Sequence, residues 1–143
     1  MHRFHYPIYL IPDDDGGFVV RFRDFPEAIT QAESVEVAYL EAADCLDEAF
    51  AGRMRRNDEI PLPSPLREGD LLVAPPAETA AKTVLYLAMK ESGVGKAELA
   101  RRLACDEKEV RRLLDPHHAS KLPRLARAVA LLGKRLVIDM EPA

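Results

Sequence analysis

Hydrophobic positions along the chain change their period twice. Residues 4–11 are largely aromatic or β-branched; after a break at residues 13–17, alternation puts Phe18, Val20 and Phe22 on one face and Val19 and Arg21 on the other. Two such segments around a glycine-containing connection predict a β-hairpin. Phe25-Pro26 closes it, and residues 28–33 predict a third, short strand. Beyond Ser34, a good N-cap, the period becomes helical. Val35, Tyr39, Ala42, Leu46, Ala49 and Phe50 recur at helix spacing as far as Ala51, and Gly52 is the expected stop.

Pro61, Pro63, Pro65, Pro75 and Pro76 then exclude helix and favour extended chain, with residues 71–74 suited to an edge strand. From Glu78 onward the pattern predicts helices over residues 79–91, 96–104, 106–114 and 122–132, punctuated by Gly93, Gly95, Pro116 and Gly133. Residues 135–140, RLVIDM, return to a strand pattern. The expected class is α+β. Residues 1–74 form a small antiparallel sheet with one helix, residues 75–78 a linker, and residues 79–143 an all-α domain with a C-terminal strand. A lone strand after a helical bundle has no partner there. Pairing with the same strand of a second copy, in a homodimer or higher homo-oligomer, is therefore expected.

Residues 96–114, KAELARRLACDEKEVRRLL, predict two short helices joined by a tight turn, the layout of a DNA-reading helix-turn-helix. Ala100, Ala104 and Val110 are small or β-branched where steeply crossing helices approach closely. Asp106 is placed to cap the second helix, and Glu109 completes a capping box. Glu107, Lys108, Arg111 and Arg112 then face outward, able to reach base edges and phosphates in a major groove. Lys96, Lys121 and Arg124 flank them as phosphate contacts, while a solvated basic helix face is the plainer alternative. His117 and His118 follow in a loop that reads as a surface turn or a further phosphate contact.

Charge sharpens the division. Residues 1–75 hold 7 Lys+Arg against 15 Asp+Glu, a net of −8, whereas residues 76–143 hold 13 against 9, a net of +4. The basic half suits a phosphate backbone; the acidic half suits a basic protein or is simply solvated. At 48% hydrophobic and 31% charged, the 143-residue chain is no disordered polymer. No apolar run approaches the roughly 20 residues of a membrane span, and residues 1–15 lack a signal-peptide pattern. Cys45 and Cys105 sit in apolar helical patterns and read as buried small hydrophobes rather than a disulfide, which suits a reducing cytoplasm.

Catalytic chemistry finds little purchase. Asp13, Asp14 and Asp15 neighbour one another on one loop, whereas a two-metal site needs carboxylates converging from separate elements. They also lack the alternating ligand positions of a calcium loop. A solvated turn with Gly16 and Gly17 at positive φ is expected, its charges available to steer a basic partner. His2 and His5 have no nucleophile beside them in a recognisable motif, and neither histidine pair has metal-site spacing with the cysteines. The expectation is a protein with no cofactor and no metal that is not an enzyme.

Read as a whole, the first half resembles the HicB family of antitoxins from bacterial toxin-antitoxin pairs. The resemblance rests on the strand-hairpin-strand of residues 6–22, the Arg23-Asp24-Phe25-Pro26 turn, Thr30-Gln31-Ala32 leading into the Ser34 helix, and IPLPSP at residues 60–65. The second half resembles the Cro/C1-type helix-turn-helix that many of these antitoxins carry. Ala28 and Ala32 stand where the family often has glycine, and Ala104 replaces the glycine common in the helix-turn-helix turn. The resemblance implies an N-domain like a reduced, non-catalytic ribonuclease H core that masks a HicA toxin. That toxin resembles a double-stranded-RNA-binding domain and cleaves RNA with a histidine. It further implies that the complex represses its own operon by binding operator DNA. Asp24, Phe25 and Glu27 are the expected toxin-facing residues, the acids lying against a basic toxin. The alternatives are a small metal-dependent nuclease of ribonuclease H-like fold using residues 13–15, and a stand-alone regulator with a ligand-sensing N-domain.

Overall fold

The two alternating segments become β1 (Tyr6–Pro12) and β2 (Phe18–Phe22), paired antiparallel with Tyr9 opposite Arg21. In the computed structural model, which describes residues 3–142, β3 (Ile29–Ala32) joins β2, and β4 (Leu71–Val73) joins the other side of β1. The sheet order is β3-β2-β1-β4, antiparallel throughout. The proline-rich stretch thus supplies the edge strand its pattern allowed. The chain divides into two compact units, residues 1–80 and residues 81–143.

In the first unit α1 (Val35–Arg55) is capped by Ser34, whose hydroxyl accepts the Val37 N–H at 3.2 Å. Its inner stripe of Ala38, Ala42, Leu46 and Phe50 is buried together with Tyr6, Ile8, Val20, Phe22 and Phe25. The Tyr6 ring lies edge-on to Phe25 and Phe50, with centroids 4.9 and 5.6 Å away. Burial of each such side chain contributes about 1.5–3 kcal/mol, and edge-to-face packing adds to it.

Two glycines behave differently from their sequence reading. Gly16 does adopt positive φ (91°), but Gly17 does not. A Cβ at Gly17 would stand 2.7 Å from the Ala32 carbonyl oxygen, so close approach of backbone is what requires glycine there. Gly52 does not end α1. The helix continues to Arg55, and Asn57 (φ 60°) takes the left-handed position. There the Asp58 N–H bonds the Arg53 carbonyl at 2.8 Å and the Asn57 N–H bonds that of Met54 at 3.2 Å, a Schellman-type stop. The extra turn buries Met54, a gain that outweighs the modest helix penalty of one glycine. Ala28 and Ala32 are buried without positive φ, so neither position demands glycine.

The second unit contains most of α2 (Ala77–Ser92), then α3 (Lys96–Leu103), α4 (Glu107–Leu114) and α5 (Leu122–Ala130). Leu85, Met89, Leu99, Leu103, Val110, Leu113, Leu125 and Val129 form its core. The expected strand over residues 135–140 is not formed; among the described residues this segment has no regular structure. A ladder needs a second strand, and the helical unit offers none. Val137, Ile138 and Met140 are left 55, 70 and 92% exposed. Among the described residues no helix is long and apolar enough to cross a membrane.

Candidate nucleic-acid interface and partner surface

Residues 104–106 connect α3 to α4 in three steps. Ala104 adopts the left-handed conformation (φ 56°, ψ 46°), and its N–H bonds the Arg101 carbonyl at 3.2 Å. Cys105 is half-buried, and its N–H bonds the Ala100 carbonyl at 3.0 Å. The Asp106 carboxylate then accepts the Glu109 N–H at 2.9 Å and starts α4. Glu109 does not turn back to complete the capping box; its carboxylate lies 3.5 Å from Arg112.

With Val110 and Leu113 buried, α4 exposes Glu107, Lys108, Arg111 and Arg112. Arg111 lies 3.6 Å from Glu107, a loose i,i+4 pair that water and salt screen easily. Lys96 is exposed at the start of α3; Lys121 is exposed at the N-cap position of α5, and half-buried Arg124 lies in its first turn. The unit thus gathers all seven expected nucleic-acid residues onto α3, α4 and the start of α5. Arg101 and Arg102 are committed elsewhere. Both hold Glu98, whose carboxyl is drawn down to about 2 by hydrogen bonds from Arg101 and then Arg102. Arg102 also donates to the Leu131 carbonyl at 3.1 Å.

Lys82 is the group that the sequence reading passed over. It is fully buried, and its Nζ donates to the carbonyls of Arg112 (2.9 Å), Asp115 (2.7 Å) and His118, and to the Ser120 hydroxyl (2.9 Å). The signal was its spacing. Lys82 stands three residues before Leu85 and seven before Met89, on the apolar stripe of α2 where a solvated lysine has no place.

In the first unit the three expected partner-facing residues are engaged internally. Phe25 is fully buried, so it is corrected from a contact residue to a core residue. Glu27 is gripped by Arg53 through two hydrogen bonds of 2.7 and 2.9 Å, the largest influence holding its carboxyl below the usual range despite partial desolvation. Asp24 accepts the Ser64 N–H at 3.0 Å and the Ser64 hydroxyl. Nearby, Arg23 pairs with the buried Asp70 at 2.7 and 2.8 Å, which depresses the Asp70 carboxyl, and Tyr6 donates its hydroxyl to the Pro61 carbonyl at 2.7 Å. These bonds lash residues 60–70 against the 23–27 turn. Of the histidines, His5 directly precedes β1, His117 and His118 are neighbours in the loop after α4, and His2 lies outside the described residues. Both cysteines are free thiols, half-buried rather than fully so.

An acidic sheet-and-helix unit followed by a basic helical unit defines a two-part protein with halves of opposite charge. Comparison with known proteins gives it a family. Residues 5–84 match the HicB-like antitoxins of bacterial toxin-antitoxin systems. The chain is 41% identical over 135 residues to Antitoxin HicB of Escherichia coli K12, covering 94% of this chain and 98% of that protein. It is 34% identical over 145 residues to Antitoxin HicB 1 of Photorhabdus laumondii (98 and 92% covered). It is also 34% identical over 134 residues to Antitoxin HicB of Pseudomonas fluorescens (93 and 92%). The chain belongs to the HicB-like antitoxin family.

Proposed function

We propose that this antitoxin binds and masks a HicA-like RNA-cleaving toxin and represses its own operon by sequence-specific DNA binding in the cytoplasm. The observation that carries the DNA half is α4 itself. It is a capped helix after a left-handed turn, with Val110 and Leu113 inward and Lys108, Arg111 and Arg112 in solvent. On this reading α3 and α4 form a helix-turn-helix, α4 enters the major groove, and Lys96, Lys121 and Arg124 hold phosphates. Two copies, joined through residues 135–140, would read half-sites about one helical turn apart. The exposed Val137, Ile138 and Met140 support that pairing.

The toxin half rests on family membership and on the acidic first unit. The 23–27 turn acts as a rigid, shaped surface, because the Asp24 and Glu27 carboxylates are held by Ser64 and Arg53. Glu27 remains 40% exposed and keeps its charge toward a basic partner.

The test is co-expression with any small basic protein encoded beside this chain. We expect co-purification, suppression of RNA cleavage by that partner, and a gel shift with the DNA upstream of the pair at concentrations that leave random DNA free. No association with the neighbouring protein overturns the toxin half; equal binding to upstream and random DNA overturns the operator half.

A further inference from the structure

Resting on the DNA-binding reading above, we infer that Lys82 is a positioning residue for that surface: its buried ammonium fixes the end of α4 against the start of α5. The acceptors make the case. The Arg112 carbonyl lies in the last turn of α4 and the Asp115 carbonyl just after the helix end. Each accepts one backbone N–H, from Asp115 at 3.2 Å and from His118 at 3.1 Å, and Lys82 fills the second acceptor position of both. The aligned peptide dipoles leave negative charge there, which a cation complements. His118 and Ser120 lie across the loop, and Ser120 immediately precedes Lys121, the N-cap residue of α5. One ammonium therefore joins the residue carrying a base-facing guanidinium to the neighbour of a phosphate-facing lysine.

A lysine with three protons shared among four oxygens sets distance as well as satisfying charge. An apolar side chain of similar length fills the same volume but removes the one donor that the Arg112, Asp115 and His118 carbonyls share, leaving only local backbone bonds at Arg112 and Asp115. The 115–120 loop then has to open toward water, and Lys121 and Arg124 lose their fixed separation from Arg111 and Arg112. Lys82 touches no DNA in this arrangement; it acts through the spacing of groups that do.

The experiment uses the full-length protein, DNA from immediately upstream of its own coding sequence, and random DNA of equal length. Lys82→Met is expected to weaken upstream-DNA binding by about tenfold and to make the salt dependence shallower by one to two phosphate contacts, roughly one unit of slope per contact. In a double-mutant cycle, Lys82→Met and Arg124→Ala together should cost less than the product of their separate effects, because a misplaced Arg124 has little left to lose. A purely structural role predicts an unchanged slope and multiplicative losses in folded protein, and that result overturns the inference. If Lys82→Met does not fold, Ser120→Ala decides, since it removes one acceptor and no core volume. Faster amide exchange at His117 and His118 with a shallower slope supports positioning; wild-type values for both overturn it. Wild-type protein that does not distinguish upstream from random DNA instead refutes the DNA-binding reading, and the positioning role falls with it.

Discussion

Arg53 lies over Phe25, its guanidinium carbon 4.8 Å from the ring centroid, while two of its nitrogens hold the Glu27 carboxylate and a third contact reaches the Glu59 carbonyl at 3.0 Å. One side chain from the last turn of α1 thereby closes the aromatic cluster and fastens both the 23–27 turn and the exit of the helix. Phe25→Ala should cost about 3–5 kcal/mol, the range for emptying a fully buried aromatic site. The urea midpoint reads this directly, and a loss confined to toxin affinity with stability unchanged would contradict the core assignment.

The Arg53–Glu27 pair also carries a pH signature. The Glu27 carboxyl is held below its ordinary 4.5, so the contribution of the pair is fully present above that value and fades as pH falls through the lowered one. Wild type and Arg53→Met should therefore differ most in urea stability near neutral pH and converge in acid. A gap that widened on acidification would show the sign to be wrong.

Ala104 holds a left-handed conformation that L-residues other than asparagine and aspartate rarely adopt. Ala104→Gly should stabilise the second unit by about 0.5–1 kcal/mol, relief of the backbone clash exceeding the entropy that glycine adds to the unfolded chain. Thermal unfolding measures this, and a lower melting temperature for the glycine variant would refute it.

On the DNA-binding reading, Arg111→Ala should lose selectivity for upstream DNA, since a bidentate arginine–guanine contact is worth about 1–3 kcal/mol of discrimination. Lys121→Ala should weaken all DNA alike and flatten the salt slope by about one unit. Equal losses on upstream and random DNA for Arg111→Ala would contradict its role as a base reader.

Removing residues 134–143 should lower the oligomeric state, because Val137, Ile138 and Met140 are exposed and residues 135–140 have no strand partner among the described residues. Sedimentation equilibrium of the full-length and shortened chains distinguishes the cases. An identical mass ratio in both would remove the segment from the oligomer contact.

Periodicity made β1 to β4, the helices and the Asp106 cap legible, because each pattern is local in sequence, while the strand pattern of residues 135–140 found no ladder to join. What stayed hidden depends on distance in the chain. Gly17 is glycine because of the Ala32 carbonyl, and Gly52 stays helical because Met54 gains burial one turn later. Phe25, beside a proline and between two acids, reads as a surface turn until β1 and α1 bring Tyr6 and Phe50 onto it. Of the candidate site, the basic residues of α4 were visible because solvent-facing positions obey helix spacing. Lys82 was visible only as a break in an apolar stripe, and its four acceptors lie at the end of α4 and in the loop after it, at separations from 30 residues for Arg112 to 38 for Ser120.

The strand that completes the sheet, β4, comes from the far end of the first unit and pairs with its opening strand, Tyr6 opposite Val73. During synthesis, a nascent chain that has emerged only to residue 60 already holds the hairpin and the whole of α1. It still lacks Pro61 for the Tyr6 hydroxyl, Ser64 for Asp24 and Asp70 for Arg23, and one side of β1 stands open. Open strand edges invite pairing with other chains, and contacts this distant in sequence form slowly. The sheet of the first unit is therefore completed only when residues 61–73 have emerged, and a chain that ends before them lacks the pairing that closes the open side of β1 and the bonds that hold Arg23 and Asp24.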